Sequence, residues 1–248
     1  MIKSLPIGRD YFKDIIEGDF YYVDKTDIIK DLLKNKNYVS LFPRPRRFGK
    51  SLFISMMDNF FNVEYIDTNK NLFNGLNISK SEYYSELSSR PVIKLDFKAL
   101  KQDNYELMYA SYKEMIRELY SNKKYLLDIL DTEEKEIFNS FLFKKAKEYE
   151  YQKAIYLLSS MLYRYYNKKV VILIDEYDVP VQQGYLKGFY DDIVSLIREV
   201  FSTSLKGNIY IEFAVMTGVL RVSKESLFSD LNNVKVYSIM DDFYNHLK

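Results

Sequence analysis

The segment KVVILID, residues 169–175, most constrains the fold of this chain. Its nearly continuous Val, Ile and Leu are typical of a strand buried on both faces of a parallel sheet. Three further segments have strand-like composition: residues 38–43, 91–97 and 210–217. Between Val92 and Val179 there is neither proline nor glycine, so we interpret most of that interval as helical. The pattern predicts an α/β fold with a mainly parallel sheet flanked by helices and a helical insertion of about residues 100–168.

Composition narrows the functions open to such a fold. The chain has 248 residues, 47% of them hydrophobic, which allows one large domain or two small ones with a sizeable core. Lys plus Arg total 36 against 35 for Asp plus Glu, so no overall field favours nucleic acid or anionic membranes. There is no cysteine and one histidine, His246, which excludes thiolate chemistry and nearly all histidine catalysis. A metal site would need oxygen ligands, as Mg²⁺ does.

The N-terminus gives no sign of targeting to or across a membrane. MIKSLPIGRD has no apolar segment of the kind a signal peptide requires, and no apolar run approaches about 18 residues. We therefore expect a cytoplasmic protein with no membrane partner.

A strand, a basic loop and an apolar helix are predicted in LFPRPRRFGKSLFISMMDNFF, residues 41–61. Gly49, Lys50 and Ser51 stand where a phosphate-binding loop enters its helix, but Arg44 occupies the position of the first glycine. In such a loop the backbone N–H groups hold the β-phosphate, Lys50 reaches the β- and γ-phosphates, and the Ser51 hydroxyl binds Mg²⁺. The predicted nucleotide-binding set also takes in the neighbouring residues Arg46, Arg47, Phe48 and Leu52. The alternative is a solvated basic turn, because a Gly-Lys-Ser tripeptide is common by chance.

A second motif, VVILIDEYD, is an apolar strand that ends in Asp175 and Glu176. A carboxylate at a strand end can hold the water shell of Mg²⁺, and the next carboxylate can deprotonate or orient an attacking water. We therefore predict Asp175 as a metal ligand through water and Glu176 as the catalytic base. The alternative is a structural strand closed by acids that start a turn at Asp178.

A third motif, FAVMTGVLR, ends a buried strand in Thr217. In the P-loop ATPases that have an additional strand, that strand lies between the two motif strands, and its terminal polar residue can position the attacking water. Arg221 follows closely and is a candidate catalytic residue, acting on the γ-phosphate in cis or as a finger to a neighbour in trans. A threonine at a strand end is also an ordinary structural feature.

Together these residues resemble the bacterial AAA-ATPase-like family, which is related to the AAA and STAND-type ATPases. The resemblance covers nearly the whole chain in order, and it is carried by LPIGRDYFKDIIEGDFYYVDKTDIIKDLL, LFPRPRRFGKSLFISMM, VVILIDEYDVPV and MTGVLRVSKESLFSDLNN. It implies an AAA-like P-loop ATPase domain over residues 1–248, with a family-specific N-terminal segment at 1–37 and with ATP and Mg²⁺ as ligands. In that family an arginine-rich loop replaces the first glycine as a rule, so Arg44, Arg46 and Arg47 could add donors around a triphosphate.

The resemblance also bears on domains and partners. Similar proteins usually continue into a helical portion and a nuclease-like domain of the PD-(D/E)xK type, whereas this sequence ends at YNHLK. We expect the lid and the nuclease-like domain to be absent here, either because the chain is a fragment or because it is a short member. Besides ATP, the candidate partners are a second copy of the chain, a nuclease-like domain, and DNA reached through a partner.

The expected function is Mg²⁺-dependent ATP binding with slow hydrolysis, in a nucleotide-driven switch or motor core. A non-hydrolysing module that recruits a partner or DNA is the first alternative, and it would have no need of a base at Glu176. A nuclease built on Asp96 and Lys98 is the second, but its candidate upstream acids, Asp67 and Glu82, sit in no clear strand. ATP is preferred to GTP on the resemblance, and no guanine-reading N-K-x-D motif is present.

The N-terminal YYVDKT, residues 21–26, is expected to pack against the core near the adenine. Asp24 and Thr26 are the candidates to cap the helix that follows.

Overall fold

A computed structural model describes residues 3–219 and 234–237, and within them five strands form one sheet. The strands are β1 (Val39–Pro43), β2 (Val92–Asp96), β3 (Val170–Asp175), β4 (Ile211–Gly218) and β5 (Val234–Val236). Their order is β2–β3–β4–β1–β5, and every neighbouring pair is parallel. The predicted α/β fold with a parallel sheet is confirmed. The four predicted strands are β1 to β4, whereas β5 is a strand that the sequence pattern does not predict.

Helices cover both faces of the sheet. In the described ranges they are α1 (Phe12–Glu17), α2 (Asp27–Asn35), α3 (Lys50–Phe61), α4 (Tyr105–Ser121), α5 (Thr132–Leu142), α6 (Glu148–Tyr166), α7 (Val179–Lys187) and α8 (Tyr190–Leu205). Helices α4, α5 and α6 follow one another between β2 and β3, in the interval without proline or glycine. No helix in this described part of the chain is long and apolar enough to cross a membrane.

The central strand β3 contributes to two hydrophobic clusters, because its side chains alternate between the faces of the sheet. Ile172 and Ile174 pack with residues of α4, α5, α6 and α8, while Val171 and Leu173 pack with residues of α1, α2 and α3. All six residues of β3 are buried. Full burial of one such side chain stabilises the fold by about 1.5–3 kcal/mol. The body of β3 is therefore fixed on both sides, and the polar residues at its carboxyl end have defined positions.

The N-terminal residues are held by polar contacts just before α2. Asp24 Oδ1 accepts hydrogen bonds from the Thr26 backbone N–H at 2.9 Å and from Thr26 Oγ1 at 2.7 Å. Asp24 Oδ2 then accepts from the Asn77 N–H at 2.7 Å, and Thr26 Oγ1 accepts from the Ile78 N–H at 3.1 Å. Helix α2 begins without a side-chain cap. The capping prediction is wrong, because both side chains instead fasten this segment to the 3₁₀ turn Asn77–Lys80.

Candidate functional site

The sheet order brings the predicted site residues to one edge. Strand β4 lies between β1 and β3, so the carboxyl ends of all three strands are adjacent. This is the order expected when an additional strand separates the two motif strands. Residues 44–49 follow β1 and lead into α3, and we call them the 44–49 loop. The side chains of Lys50, Asp175 and Thr217 are all buried at this edge.

The 44–49 loop has a backbone suited to anions. Arg47 and Gly49 both have left-handed conformations, with φ of 69° and 75°, and Gly49 is the N-cap that immediately precedes α3. Turns that mix right-handed and left-handed residues point successive N–H groups into one concavity, which favours a bound anion. The N-terminus of α3 adds roughly half a positive charge in the same place. A left-handed conformation at a non-glycine residue such as Arg47 is uncommon and costs about 1–3 kcal/mol.

Lys50, the first residue of α3, is a buried cation. Its side chain is only 6% exposed, and its Nζ donates to the Pro45 carbonyl at 3.4 Å. Within the described residues, no carboxylate lies at ion-pair distance from this nitrogen. Buried charges are ordinarily paired, because desolvation is costly. The Glu176 carboxylate attracts Lys50 without forming such a pair, so this cation at the start of a helix can still bind an anion directly.

Arg44 connects β1 to its neighbours in the sheet. Its backbone N–H donates to the Gly218 carbonyl at 2.8 Å, at the end of β4. Its Nη1 donates to the carbonyls of Pro43 and Tyr237, at 2.6 and 2.9 Å. The guanidinium thus satisfies main-chain acceptors beyond the ends of β1 and β5. This explains physically why arginine is tolerated where the general motif has glycine, while a phosphate contact by Arg44 stays a prediction.

The rest of the loop is open to solvent. Arg46 and Arg47 are exposed, and the Phe48 ring is 59% exposed. Ser51 and Leu52 occupy the first turn of α3 and are half-buried. Arg47, Phe48 and Leu52 line the cavity described below, whereas Arg46 and Ser51 do not.

The acidic end of β3 is tied to β4 through Thr217. Thr217 Oγ1 donates to Asp175 Oδ1 in a short hydrogen bond, and the same hydroxyl oxygen accepts from the Glu176 N–H at 3.4 Å. The Thr217 carbonyl accepts from the Tyr177 N–H at 3.0 Å. One threonine therefore fixes the orientation of the Asp175 carboxylate and of the backbone at Glu176.

Glu176 lies just past β3 in an unusual environment. Its φ is 52°, a left-handed conformation that costs a residue with a Cβ about 1–2 kcal/mol. Burial raises the pKa of its carboxyl group, and the Asp175 charge raises it further, while Lys50 and Lys98 oppose the shift. Backbone strain and a perturbed carboxyl pKa are both more common at functional sites than elsewhere.

A further carboxylate, Asp96, joins this edge and is missing from the predicted site. It ends β2 directly beside Asp175, and burial is the main cause of its raised pKa, with Asp175 adding to it. The signal in the sequence was an aspartate at or next to the end of two predicted strands, Asp96 in 91–97 and Asp175 in 169–175. As half of a nuclease motif, however, Asp96 lacks support. Its Oδ1 accepts from the Lys98 N–H, Glu82 lies in a 3₁₀ turn, and the described residues contain no cluster of three acids, histidines or cysteines suited to a metal ion.

A cavity of about 500 Å³ lies beside the 44–49 loop. It has the volume of a small-molecule site and is mostly apolar. Its walls come from the N-terminal segment, from β1 and from α3, and they include Tyr21, Tyr22, Val23, Phe42, Phe53 and Met56. Lys50 and Thr217 also line it. The N-terminal segment thus lies next to the loop, as expected for YYVDKT, whereas Arg221 falls outside the described residues.

In the all-parallel sheet, β1 runs through a basic loop into a helix, and β4 lies between β1 and a strand that ends in an acidic residue. This arrangement is a P-loop NTPase-like fold. The family described as Predicted AAA-ATPase matches residues 6–228, and the chain belongs to this AAA-ATPase-like family. It is also similar to a protein of Azotobacter chroococcum mcd 1 described as "Uncharacterized protein in vnfD 5'region", at 31% identity over 248 residues. That match covers 99% of this chain but 42% of the relative, so the chain spans less than half of the relative's length. No solved structure matches the chain.

Proposed function

We propose that this chain binds ATP with Mg²⁺ and hydrolyses it slowly. The observation that carries the proposal is Lys50, a buried cation at the N-terminus of α3 with no carboxylate at ion-pair distance among the described residues. A bound polyphosphate would supply the missing negative charge, and the left-handed residues of the 44–49 loop would add N–H donors. Because the chain belongs to a predicted ATPase family, a nucleotide is the anion that such a site is expected to bind.

The apolar cavity supports a nucleotide over a simple phosphate. Lys50 and residues 21–23 line it, and so do Leu52, Phe53 and Met56 of α3, which present apolar surface. A purine ring can be buried against such side chains while its phosphates reach the loop. The choice of adenine over guanine rests on the family.

The residues present fit a Mg²⁺ ion held mainly by its substrate. Mg²⁺ usually keeps several waters and takes one or two protein ligands plus phosphate oxygens, so a cluster of three acids is not required. Ser51 Oγ would be a direct ligand, and Asp175, oriented by Thr217, would hold the ion through water. The ion would neutralise charge on the β- and γ-phosphates.

Glu176 is the proposed base in hydrolysis. Its carboxylate would orient the attacking water and take its proton, while Lys50 and the loop N–H groups stabilise charge on the phosphoryl oxygens. The strained backbone at Glu176 favours this role, because a structural residue there could be replaced by glycine or asparagine at lower cost. The raised pKa makes Glu176 a stronger base once it is ionised.

A non-hydrolysing switch is the second candidate. The connection between the 44–49 loop and the acidic strand end through Thr217 and Gly218 would suit a module that only changes shape on binding. Such a module could act on a second copy, a nuclease-like domain, or DNA through a partner.

Turnover by the parent and by Glu176→Gln separates the two candidates. The amide keeps the shape of the side chain but cannot accept the proton, so we expect ATP binding to persist and phosphate release to stop. Glu133→Gln, on the exposed surface of α5, is the matched control and should behave as the parent. Turnover by Glu176→Gln at the parent's rate would exclude Glu176 as the base. Binding by the parent without any phosphate release would favour the switch.

A further inference from the structure

A single peptide group links the acidic end of β3 to the 44–49 loop. The N–H of Val219 donates to Asp178 Oδ2 at 3.1 Å, and the carbonyl of Gly218 accepts from the Arg44 N–H at 2.8 Å. This N–H and this carbonyl belong to the same Gly218–Val219 peptide. Its two polar atoms therefore face opposite neighbours, with Asp178 on one side and the entrance of the loop on the other.

Asp178 is a buried carboxylate with no role in the site described so far. Its side chain is 0% exposed, and it precedes α7 without capping that helix. Besides Val219, its Oδ2 accepts from Gln182 Nε2 at 2.5 Å. A carboxylate acceptor makes a hydrogen bond about twice as strong as a neutral one. It also polarises the peptide, so that the Gly218 carbonyl becomes a better acceptor for Arg44.

Glycine at position 218 permits this arrangement. A Cβ built there would lie 2.5 Å from Tyr177 Cε1 and 2.6 Å from Asp178 Oδ1, closer than real contacts allow. Tyr177 is itself fully buried, so its ring has little room to move. Any larger residue would push the Gly218–Val219 peptide away from the carboxylate.

We propose that Asp178 is a positioning residue for the 44–49 loop, acting through the Gly218–Val219 peptide on the Arg44 amide. It sets the point at which the chain leaves β1, and with it the placement of the loop N–H groups. The expected effect of Asp178 on nucleotide affinity rests on the proposed function. The hydrogen-bonded link from Asp178 to Arg44 can be tested without any nucleotide.

The hydrogen-exchange rate of the Arg44 backbone N–H measures the strength of this link directly. Pro43 and Pro45 have no N–H, so within residues 43–45 the Arg44 amide is the one backbone group that exchanges. In Asp178→Ala the Val219 N–H loses its charged acceptor, a loss equivalent to about ten-fold or more in an equilibrium constant. We expect the link to pass this loss on, so that the Arg44 amide exchanges about ten-fold faster. Asp178→Asn keeps an acceptor oxygen and should recover most of the protection.

Two controls distinguish a specific effect of Asp178 on the Arg44 amide from a general loosening of the folded protein. Gln182→Leu removes a second donor to Asp178 and should leave Arg44 exchange within about two-fold of the parent. The Val171 amide lies near the start of β3 and donates to the Pro91 carbonyl at 2.9 Å. It should stay protected in every variant. Arg44 exchange in folded Asp178→Ala at the parent's rate would overturn the proposal.

Gly218→Ala provides a second route if Asp178→Ala does not fold. With Asp178 intact, the added methyl should displace the peptide and accelerate Arg44 exchange. Unchanged Arg44 exchange in folded Gly218→Ala would overturn the proposal. Affinity for Mg-ATP is the functional readout, and we expect about a ten-fold loss in Asp178→Ala that Asp178→Asn recovers. A parent that does not bind ATP would refute the proposed function, while the exchange rates would still decide whether the link exists.

Discussion

Two buried lysines with different partners provide a test of what Lys50 is for. Lys50 is 6% exposed and has the Pro45 carbonyl at 3.4 Å, whereas Lys123 is 8% exposed and donates to Glu64 Oε2 at 2.5 Å. Removing a buried charge that forms no close ion pair relieves a desolvation penalty, but removing one partner of a buried ion pair leaves the other charge without its partner. Methionine matches lysine in length and has no charge, so Lys50→Met and Lys123→Met form a matched pair.

The two variants should change the free energy of unfolding in opposite directions. Lys50→Met should gain about 1–2 kcal/mol without nucleotide. Larger gains are not expected, because the variant also loses the contact of Nζ with the Pro45 carbonyl and the attraction between Lys50 and Glu176. For a chain of this size the gain corresponds to a rise of about 2–8 °C in Tm. Lys123→Met should lose about 1–3 kcal/mol, less than for a fully buried pair because the Glu64 side chain is 26% exposed.

Urea unfolding followed by circular dichroism measures these changes, with and without Mg-ATP. Nucleotide at 100-fold its Kd should stabilise the parent and Lys123→Met by about 2.7 kcal/mol each, and Lys50→Met not at all. A Lys50→Met variant that unfolds at lower urea than the nucleotide-free parent would refute the reasoning. The Lys50 ammonium group would then have a structural role, in which it binds the Pro45 carbonyl rather than an anion.

Three further outcomes follow from the acidic strand end. Folding raises the pKa of the Glu176 carboxyl group. The stability that this group contributes is therefore present below its unfolded pKa and is lost as pH rises through the folded pKa. Glu176→Gln should raise Tm near pH 7, and the gain should shrink towards about pH 4. Parent phosphate release should fall as pH drops through the raised Glu176 pKa, and a flat pH profile would argue against this base. Thr217→Val should cost about 1–3 kcal/mol in chemical unfolding, since the buried Asp175 carboxylate loses a donor, and Thr217→Ser should restore most of it.

Strong local patterns made the sheet predictable. The apolar runs of β1 to β4 are long enough to be recognised one by one, and their order with helices between them predicts a parallel sheet. Strand β5 has three residues, Val-Lys-Val, which is too short a pattern to distinguish from a loop. It is defined by its pairing with β1 and by the contact of Arg44 with Tyr237, both between residues far apart in the chain.

The sequence predicted which strand ends lie close together at the candidate site, but not the hydrogen bonds between them. The sequence placed Lys50 after a basic loop and Asp175 at a strand end, and the structure brings both to one edge of the sheet. It could not reveal that Asp24 and Thr26 turn away from α2, because the N–H groups that donate to them lie about 50 residues further along the chain. The hydrogen bond from Val219 to Asp178 joins residues 41 apart, and only the packing of β3 against β4 makes it.

The most direct test of the account is calorimetric titration of Mg-ATP into the parent and into Lys50→Ala, with phosphate release followed in the same samples. We predict that the parent binds one nucleotide and releases phosphate slowly, and that Lys50→Ala, still folded, does neither. A folded parent that binds no ATP would contradict the central claim, and so would a Lys50→Ala variant that binds it as tightly as the parent does.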